Sequence, residues 1–466
     1  MPLALEVAGD TIAAVATPPG RGGVGIVRLS GPLAGRIGAR LFASARPGFT
    51  GLKPYRLHHG DILDATGHPL DRGMVAHMPG PSSYTGEDTV EFFCHGAPAV
   101  LRAVLAACFA LGARPAGPGE FTKRAFLNGR LDLSQAAAVA ELIAARGEAE
   151  ADIARTRLEG AVGQAARELG AALDDLRAGI CLAVDFPEEE VECLPKAAFA
   201  TAVDAVIARI DGLLAATRRA RPFRHGARVA LFGRVNAGKS SLFNALLGAD
   251  RALVADLPGT TRDYLEEGLD LDGLPVLLAD TAGLRETPDA VEAAGKARGL
   301  GLTAVAELGL FVVDGAAPYE PDTEAEALLA RLGPDKVLAV LSKADLPPGL
   351  PDPREHLAAM GLEAVAVSAM TGFGLPALLA AMRARLTREA GAPEPGAAAP
   401  SEREAASLGA ARKELAALAA DIAADVPYDL MGARLETARA LVADVTGETT
   451  PEDVLNAVFD TFCIGK

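Results

Sequence analysis

The richest chemistry in the chain lies in Gly233-Arg-Val-Asn-Ala-Gly238-Lys239-Ser240, which has the spacing of a phosphate-binding loop. Glycines let backbone N–H groups wrap phosphate oxygens, and a helix starting here adds the partial positive charge of its N-terminus. Lys239 then reaches the β and γ oxygens and Ser240 ligates Mg²⁺, with Asn236, Ala237, Gly238 and Ser241 completing the cradle. Asp280-Thr281-Ala282-Gly283 follows an apolar run and offers a carboxylate near the metal and a glycine amide near the γ-phosphate. Between these motifs lies Gly259-Thr260-Thr261-Arg-Asp263, where the Thr261 hydroxyl is expected to complete the metal shell only while a triphosphate is bound.

Base choice points to guanine. The carboxylate in Ser342-Lys343-Ala-Asp345 can accept the N1–H and the exocyclic amine of guanine, neither of which adenine offers. GTPases usually carry Asn at the first of these positions; Ser342 is shorter, so guanine preference is expected to rest on Asp345 with weaker tethering. Ser368-Ala369-Met370, before Thr371-Gly-Phe-Gly374, fits the remaining base-contacting loop by its order in the chain. Where small GTPases place a water-orienting Gln after Asp-x-x-Gly, this chain has Leu284, which neither donates nor accepts a hydrogen bond. Glu286, Asp289 and Glu292 follow as candidates to orient the water, and Asn236 is a candidate ligand for a monovalent cation that supplies positive charge in the transition state. The expected activity is binding and hydrolysis of GTP with Mg²⁺.

The elements that must carry these residues follow from periodicity. After Arg221-Pro222 come short apolar runs at Val229 to Phe232, Val276 to Ala279, Leu308 to Val313, Val337 to Leu341 and Ala364 to Val367, each followed by a loop and a helical stretch. That alternation predicts a mainly parallel sheet covered by helices on both faces, with the helical run Ser241 to Leu247 opening at the phosphate loop. Upstream, β-type runs at Ile12 to Ala16, Gly25 to Leu29 and Val90 to Cys94, with a helix-like stretch Ala99 to Leu111, read as an α+β module. Residues Leu131 to Arg221 and Glu402 to Val445 carry helical spacing, and the Ala/Gly/Pro-rich Gly391 to Pro400 reads as a linker. The predicted fold is an α/β P-loop GTPase domain (222–386, its sheet starting near Arg228) inserted into an all-α domain (128–221 and 387–466). An α+β N-terminal domain (1–127) precedes them.

Composition sets outer limits. A chain of 466 residues exceeds what one core supports, and 50% hydrophobic with 23% charged residues is a globular composition. A net charge of -16 argues against tight non-specific binding to nucleic acid, so any RNA contact is local or shared with a partner. Cys94, Cys108, Cys181, Cys193 and Cys463 show no metal-ligand spacing and no paired framework. With no apolar stretch of spanning length and no leader pattern, the expectation is a cytoplasmic protein without a membrane segment.

Several segments resemble the MnmE (TrmE) family of tRNA-modification GTPases. They are Asp10-Thr-Ile with Ala16-Thr-Pro-Pro-Gly-Arg-Gly-Gly-Val-Gly25-Ile-Val-Arg28, Tyr84-Thr-Gly-Glu-Asp88, Glu120-Phe-Thr-Lys-Arg-Ala-Phe-Leu-Asn128, and the tail Phe462-Cys-Ile-Gly-Lys466. The resemblance covers essentially the whole chain. It implies a homodimer that joins the flavin-dependent MnmG in a heterotetramer and adds a carboxymethylaminomethyl-type group to C5 of the wobble uridine of certain tRNAs. It also implies that the first domain dimerises and binds 5,10-methylenetetrahydrofolate or 5-formyltetrahydrofolate through Arg28, Glu91, Arg130 and Lys466; the family commonly has Lys at the position of Arg130. For hydrolysis it implies K⁺ held by Asn236 of the phosphate loop together with Ala255, Leu257 and Thr260 in the loop Ala255-Asp256-Leu257-Pro258-Gly259-Thr260, Glu292 as the catalytic residue in place of the missing Gln, and domain movement driven by GTP hydrolysis. Cys463 offers a thiolate able to attack C6 of uracil and activate C5, the plainer alternative being a tail cysteine kept for packing. The competing reading is a ribosome-assembly GTPase switch without RNA-modifying chemistry. It leaves the amino-terminal segments without a role.

Overall fold

Along β2 (Gly22–Ser30) the side chains alternate, so that Val27 and Leu29 are buried while Arg28, between them, points to the opposite face. The same alternation on β6 (Thr89–Gly96) buries Val90, Phe92 and Cys94 and leaves Glu91 on the face of Arg28. These strands belong to the chain's computed structural model, which describes residues 9–44, 46–145, 147–185, 195–249, 266–280, 306–388, 391, 394 and 396–466. The chain divides into two units, one made of Met1–Ile143, Arg155–Asp211 and Pro400–Lys466, the other of Ala144–Ala154 and Gly212–Ala399.

The first unit opens with a seven-stranded sheet in the order β3-β4-β5-β6-β2-β1-β7, where β1 is Ile12–Val15, β3 Phe42–Ala43, β4 Leu57–Leu63, β5 Pro69–Met78 and β7 Arg114–Pro115. Its pairs are antiparallel except β1 with β7. One face is covered by α1 (Ala34–Arg40) and α2 (Pro98–Ala110), whose Ile37, Leu101 and Val104 join Val27, Leu29, Val90 and Phe92 in one core. Phe121 of α3 (Glu120–Leu127) packs with Ile12 and Ala14 in a separate small cluster. The hairpin of β4 and β5 is not among the expected strands. Its His58, His59, Asp61, Asp71 and Arg72 dilute the apolar alternation that announces β2 and β6.

The helical part of this unit includes α4 (Leu133–Ala144), the end of α5 (Glu148–Leu158), α6 (Ala161–Asp185) and the start of α7 (Lys196–His225). After the second unit the chain returns as α12 (Glu402–Ala423), α13 (Tyr428–Thr446) and α14 (Glu452–Asp460), and α13 packs along both α6 and α12. Two expectations need correction. The helical run expected from Glu402 to Val445 is broken at Pro427, which has no N–H for the preceding turn and takes the N-cap position of α13. Conversely α7 does not end at Arg221 but runs through Pro222 to His225, near enough to its end that the missing bond is tolerated.

A buried ion cluster ties the helical segments together. Arg157 of α5 is 0% exposed and donates to both carboxylate oxygens of Glu404 (2.9 Å each), itself 1% exposed, and pairs with Glu141 of α4. Glu404 also closes a capping box with Ser401 at the start of α12. Burial works to raise the Glu404 carboxyl, but the Arg157 charge holds it below its ordinary value.

In the second unit a six-stranded sheet runs β13-β12-β11-β8-β10-β9, from Ala364–Ala366, Val337–Ser342, Leu308–Asp314, Ala227–Phe232, Leu274–Asp280 and Glu266–Leu271 respectively. All pairs are parallel except β10 with β9. Strand alternation feeds two cores, Leu310, Val312, Leu338 and Val340 entering one and Phe311, Val313, Ala339 and Leu341 the other, as a sheet covered on both faces requires. Their helices include α8 (Lys239–Ala249), α9 (Thr323–Leu332), α10 (Pro353–Ala359) and α11 (Leu375–Arg388). Strand β9 adds an antiparallel edge to the five expected strands. Its turn, Asp272-Gly273, holds both residues at positive φ (50° and 83°), and Asp-Gly is the short-range signal of such a hairpin.

Candidate functional site

The phosphate loop occupies the turn from β8 into α8. Gly233 has φ 136°, and a Cβ there would lie 2.2 Å from the Val312 carbonyl oxygen, so only glycine lets the chain leave β8 this close to β11. Asn236 is held at φ 64°, a left-handed conformation that asparagine tolerates better than most residues. Lys239 is buried, and its Nζ donates to the carbonyls of Gly233 (2.9 Å) and Arg234 (2.6 Å), so its charge is held under the loop that would receive the phosphates. Asn236, Ser240 and Ser241 are exposed. Amides, an ammonium and a helix N-terminus suit an anionic phosphate, and the Ser240 hydroxyl suits a hard divalent cation.

The other motifs arrive at the same edge of the sheet. Asp280 ends β10, its backbone in register with Leu231 of β8. Ser342 ends β12, and Ala344 N donates to the Val367 carbonyl (3.1 Å), which brings the Ser342-Asp345 loop against the loop after β13. Lys343 takes φ 57° and its Nζ donates to Asp314 Oδ2 (2.6 Å); Asp345 is exposed. The Ser368 hydroxyl is buried and accepts from Thr371 N (3.2 Å), so it fixes the turn, and Met370 stands exposed. Ala255, Asp256, Leu257, Pro258, Gly259, Thr260, Thr261, Thr281, Ala282, Gly283, Leu284, Glu286, Asp289 and Glu292 lie outside the described residues, as does the side chain of Asp280.

The amino-terminal candidates come together at a second place. Arg28 Nε donates to Glu91 Oε1 (2.7 Å), a pair set by the register Arg28 with Glu91 between β2 and β6. Arg28 Nη1 donates to the Gly465 carbonyl (3.3 Å), and the guanidinium stands 5.7 Å from the Phe121 ring centroid. The carboxy-terminal tail is stitched in by its backbone. Phe121 N donates to the Lys466 carbonyl (3.1 Å), Ile464 bridges Pro118, and Gly465 at φ 99° lies where a Cβ would sit 2.2 Å from the Val15 oxygen. Cys463 is an exposed free thiol in this tail. Arg130 is exposed and stands beside Gly86; among the described residues no hydrogen bond or ion pair joins it to Arg28, Glu91 or Lys466.

Periodicity does not reveal the supports of this place. Tyr84 meets Thr122 (3.0 Å); burial pushes its phenol up, against the lowering effect of that hydrogen bond and of the Arg28 charge. The loop carrying Tyr84 is tied by Ser30 to Thr85 (2.7 Å), Asn128 to the Thr85 carbonyl (2.7 Å), and Glu87 to Arg124 (3.1 Å). Arg124 further donates to Asp10 and Glu120, and Arg114 donates to both. Burial works to raise the carboxyls of Asp10 and Glu120, but these guanidiniums hold both below their ordinary values. The signal open to sequence was the clustering of Tyr84, Thr85, Glu87, Glu120, Thr122 and Arg124 in two short segments. Glu91 Oε2 carries no hydrogen bond among the described residues, which leaves an acceptor beside the Arg28 cation. That donor and acceptor set suits a ligand with an amino-heterocycle and carboxylates, as in a folate.

Residues 11–130 match the family described as GTP-binding protein TrmE N-terminus, and residues 133–463 match the MnmE helical domain. The chain is similar to the tRNA modification GTPase MnmE of Nitratidesulfovibrio vulgaris, 51% identical over 98% of this chain and 99% of that protein. It is also similar to those of Lawsonia intracellularis, 41% identical over 98% of this chain and 100% of that one, and Thermus thermophilus, 44% identical over 98% and 99%. No described helix is long and apolar enough to cross a membrane.

Proposed function

The chain belongs to the MnmE family of tRNA modification GTPases, and from that premise we propose that it works with MnmG to build a carboxymethylaminomethyl-type group on C5 of the wobble uridine. It is a GTP hydrolase that acts in tRNA modification. The observation that carries the nucleotide part is the meeting, at one edge of the sheet, of the Gly233–Ser240 loop, the end of β10 at Asp280 and the loops of Asp345 and Ser368.

Within this reading the phosphate loop binds GTP, Lys239 and the α8 N-terminus counter its charge, and Ser240 with Thr261 holds Mg²⁺. K⁺ would be held by Asn236 with Ala255, Leu257 and Thr260 and would supply positive charge in the transition state, while Glu292 orients the water that Leu284 cannot. Arg28, Glu91, Arg130 and Lys466 bind a tetrahydrofolate, which supplies one carbon when bound. Two copies pair through their first domains, GTP hydrolysis moves the domains, and the protein acts in the cytoplasm. The limits 1–127, 128–221, 222–386 and 387–466 are the proposed domains. Cys463 remains the candidate nucleophile of the tail, its thiol exposed.

Mass spectrometry of tRNA from cells lacking this protein is expected to find the wobble uridine unmodified; an intact modification would leave the ribosome-assembly reading in its place. The GTP hydrolysis rate is expected to rise at least tenfold in K⁺ over Na⁺, and equal rates in the two salts would remove the cation from the mechanism.

A further inference from the structure

We propose that Ser342 is a positioning residue that straps the phosphate loop to the base-reading loop and takes no part in choosing the base, which is left to Asp345. The inference rests on the guanine-nucleotide reading of this site. Ser342 is 5% exposed, and its Oγ donates to the carbonyl of Ala237 (2.6 Å), inside the phosphate loop, with the Val313 carbonyl at 3.2 Å. A hydroxyl has one proton, and both neighbours here are acceptors. The proton is therefore directed inward, toward the phosphate loop and the end of β11, and is not offered to a ligand.

The surroundings fit a strap. A Cβ on Gly238 would meet Ser342 Cβ and Oγ at 3.4 Å, so the side chain fills the space beneath the loop's last glycine. The Ser342 carbonyl accepts from Gly315 N (3.0 Å), which joins the exit of β11 to the same point. From this fixed residue the chain turns through Lys343, whose left-handed φ of 57° is held by its bond to Asp314, and reaches the exposed Asp345. Ser342 thus sits where a shift of the phosphate loop and a shift of the base loop are the same movement. Loss of its hydroxyl also leaves the buried Ala237 carbonyl without that donor.

Stopped-flow release of fluorescently labelled GDP and IDP from the full chain tests this, since inosine lacks the exocyclic amine that Asp345 reads. Ser342→Ala is expected to speed release of both nucleotides by the same factor, about five- to tenfold, and to leave the ratio of their affinities unchanged. Asp345→Asn is expected to collapse that ratio, and its failure to do so would count against the guanine reading itself. A ratio that changes in Ser342→Ala would make Ser342 a base contact. An unchanged release rate, with or without a lower melting temperature, would show a residue that only packs. Either result overturns the strap.

Discussion

Arg28 takes its carbonyl partner from Gly465, 437 positions away in the chain, whereas Lys239 finds its two within six positions, at Gly233 and Arg234. Both residues place a positive charge where an anion can be received, yet they depend on the fold differently. The phosphate loop is mostly a local device: a strand, a glycine turn and a helix N-terminus built from consecutive residues, with Ser342 as its distant strap. The Arg28 place is assembled from two strands, a helix and the chain's last four residues, and exists only when these pack. A mostly local site answers to changes in its own residues and in the few, such as Ser342, that touch it, and an assembled site to changes in any of its elements.

That contrast is most exposed to failure at Arg157. Arg157→Ala leaves Glu404 as a buried carboxylate without its Arg157 partner and removes the cation beside the partly exposed Glu141, and is expected to cost about 3–5 kcal/mol of stability in urea unfolding. Binding of GDP by the folded fraction should stay within twofold of the parent. A comparable loss of nucleotide affinity would show that the phosphate loop is less self-contained than its contacts suggest.

Next in size is Lys239→Ala, expected to lower kcat/KM for GTP on the order of 100-fold, because a charge-assisted contact to the phosphates is lost. Folate binding followed by fluorescence quenching should not change. Smallest, and aimed at the other site, is Gly465→Ala. It places a methyl against the Val15 carbonyl at a positive φ, and should weaken folate binding about tenfold through displacement of the tail while leaving KM for GTP unaltered. Unchanged folate affinity would mean that the tail's seat does not shape that site.

Legibility in the sequence followed the same divide. The five parallel strands were readable because each is a short apolar run, and the phosphate loop because its spacing is contiguous. The antiparallel β9 was not, since Glu266, Glu267 and Asp270 on an edge strand carry little apolar signal, although Asp272-Gly273 marked its turn. Ser342 is a different kind of case. Its departure from Asn was plain, but read along the chain it belongs to the base loop, and only packing revealed a hydroxyl turned to Ala237.

The sequence by itself determined the elements whose causes are near neighbours: period-two burial on β2 and β6, the helix-opening phosphate loop, and family membership through short contiguous segments. Only the tertiary structure decided what depends on groups far apart in the chain. It set Arg28 against Glu91 and Gly465, joined Arg157 to Glu404, and turned Ser342 beneath Gly238. The physical reason is range. Propensity, turn chemistry and alternation act over a few residues, while the partner of a buried charge or hydroxyl is fixed by which surfaces pack, a property of the whole chain.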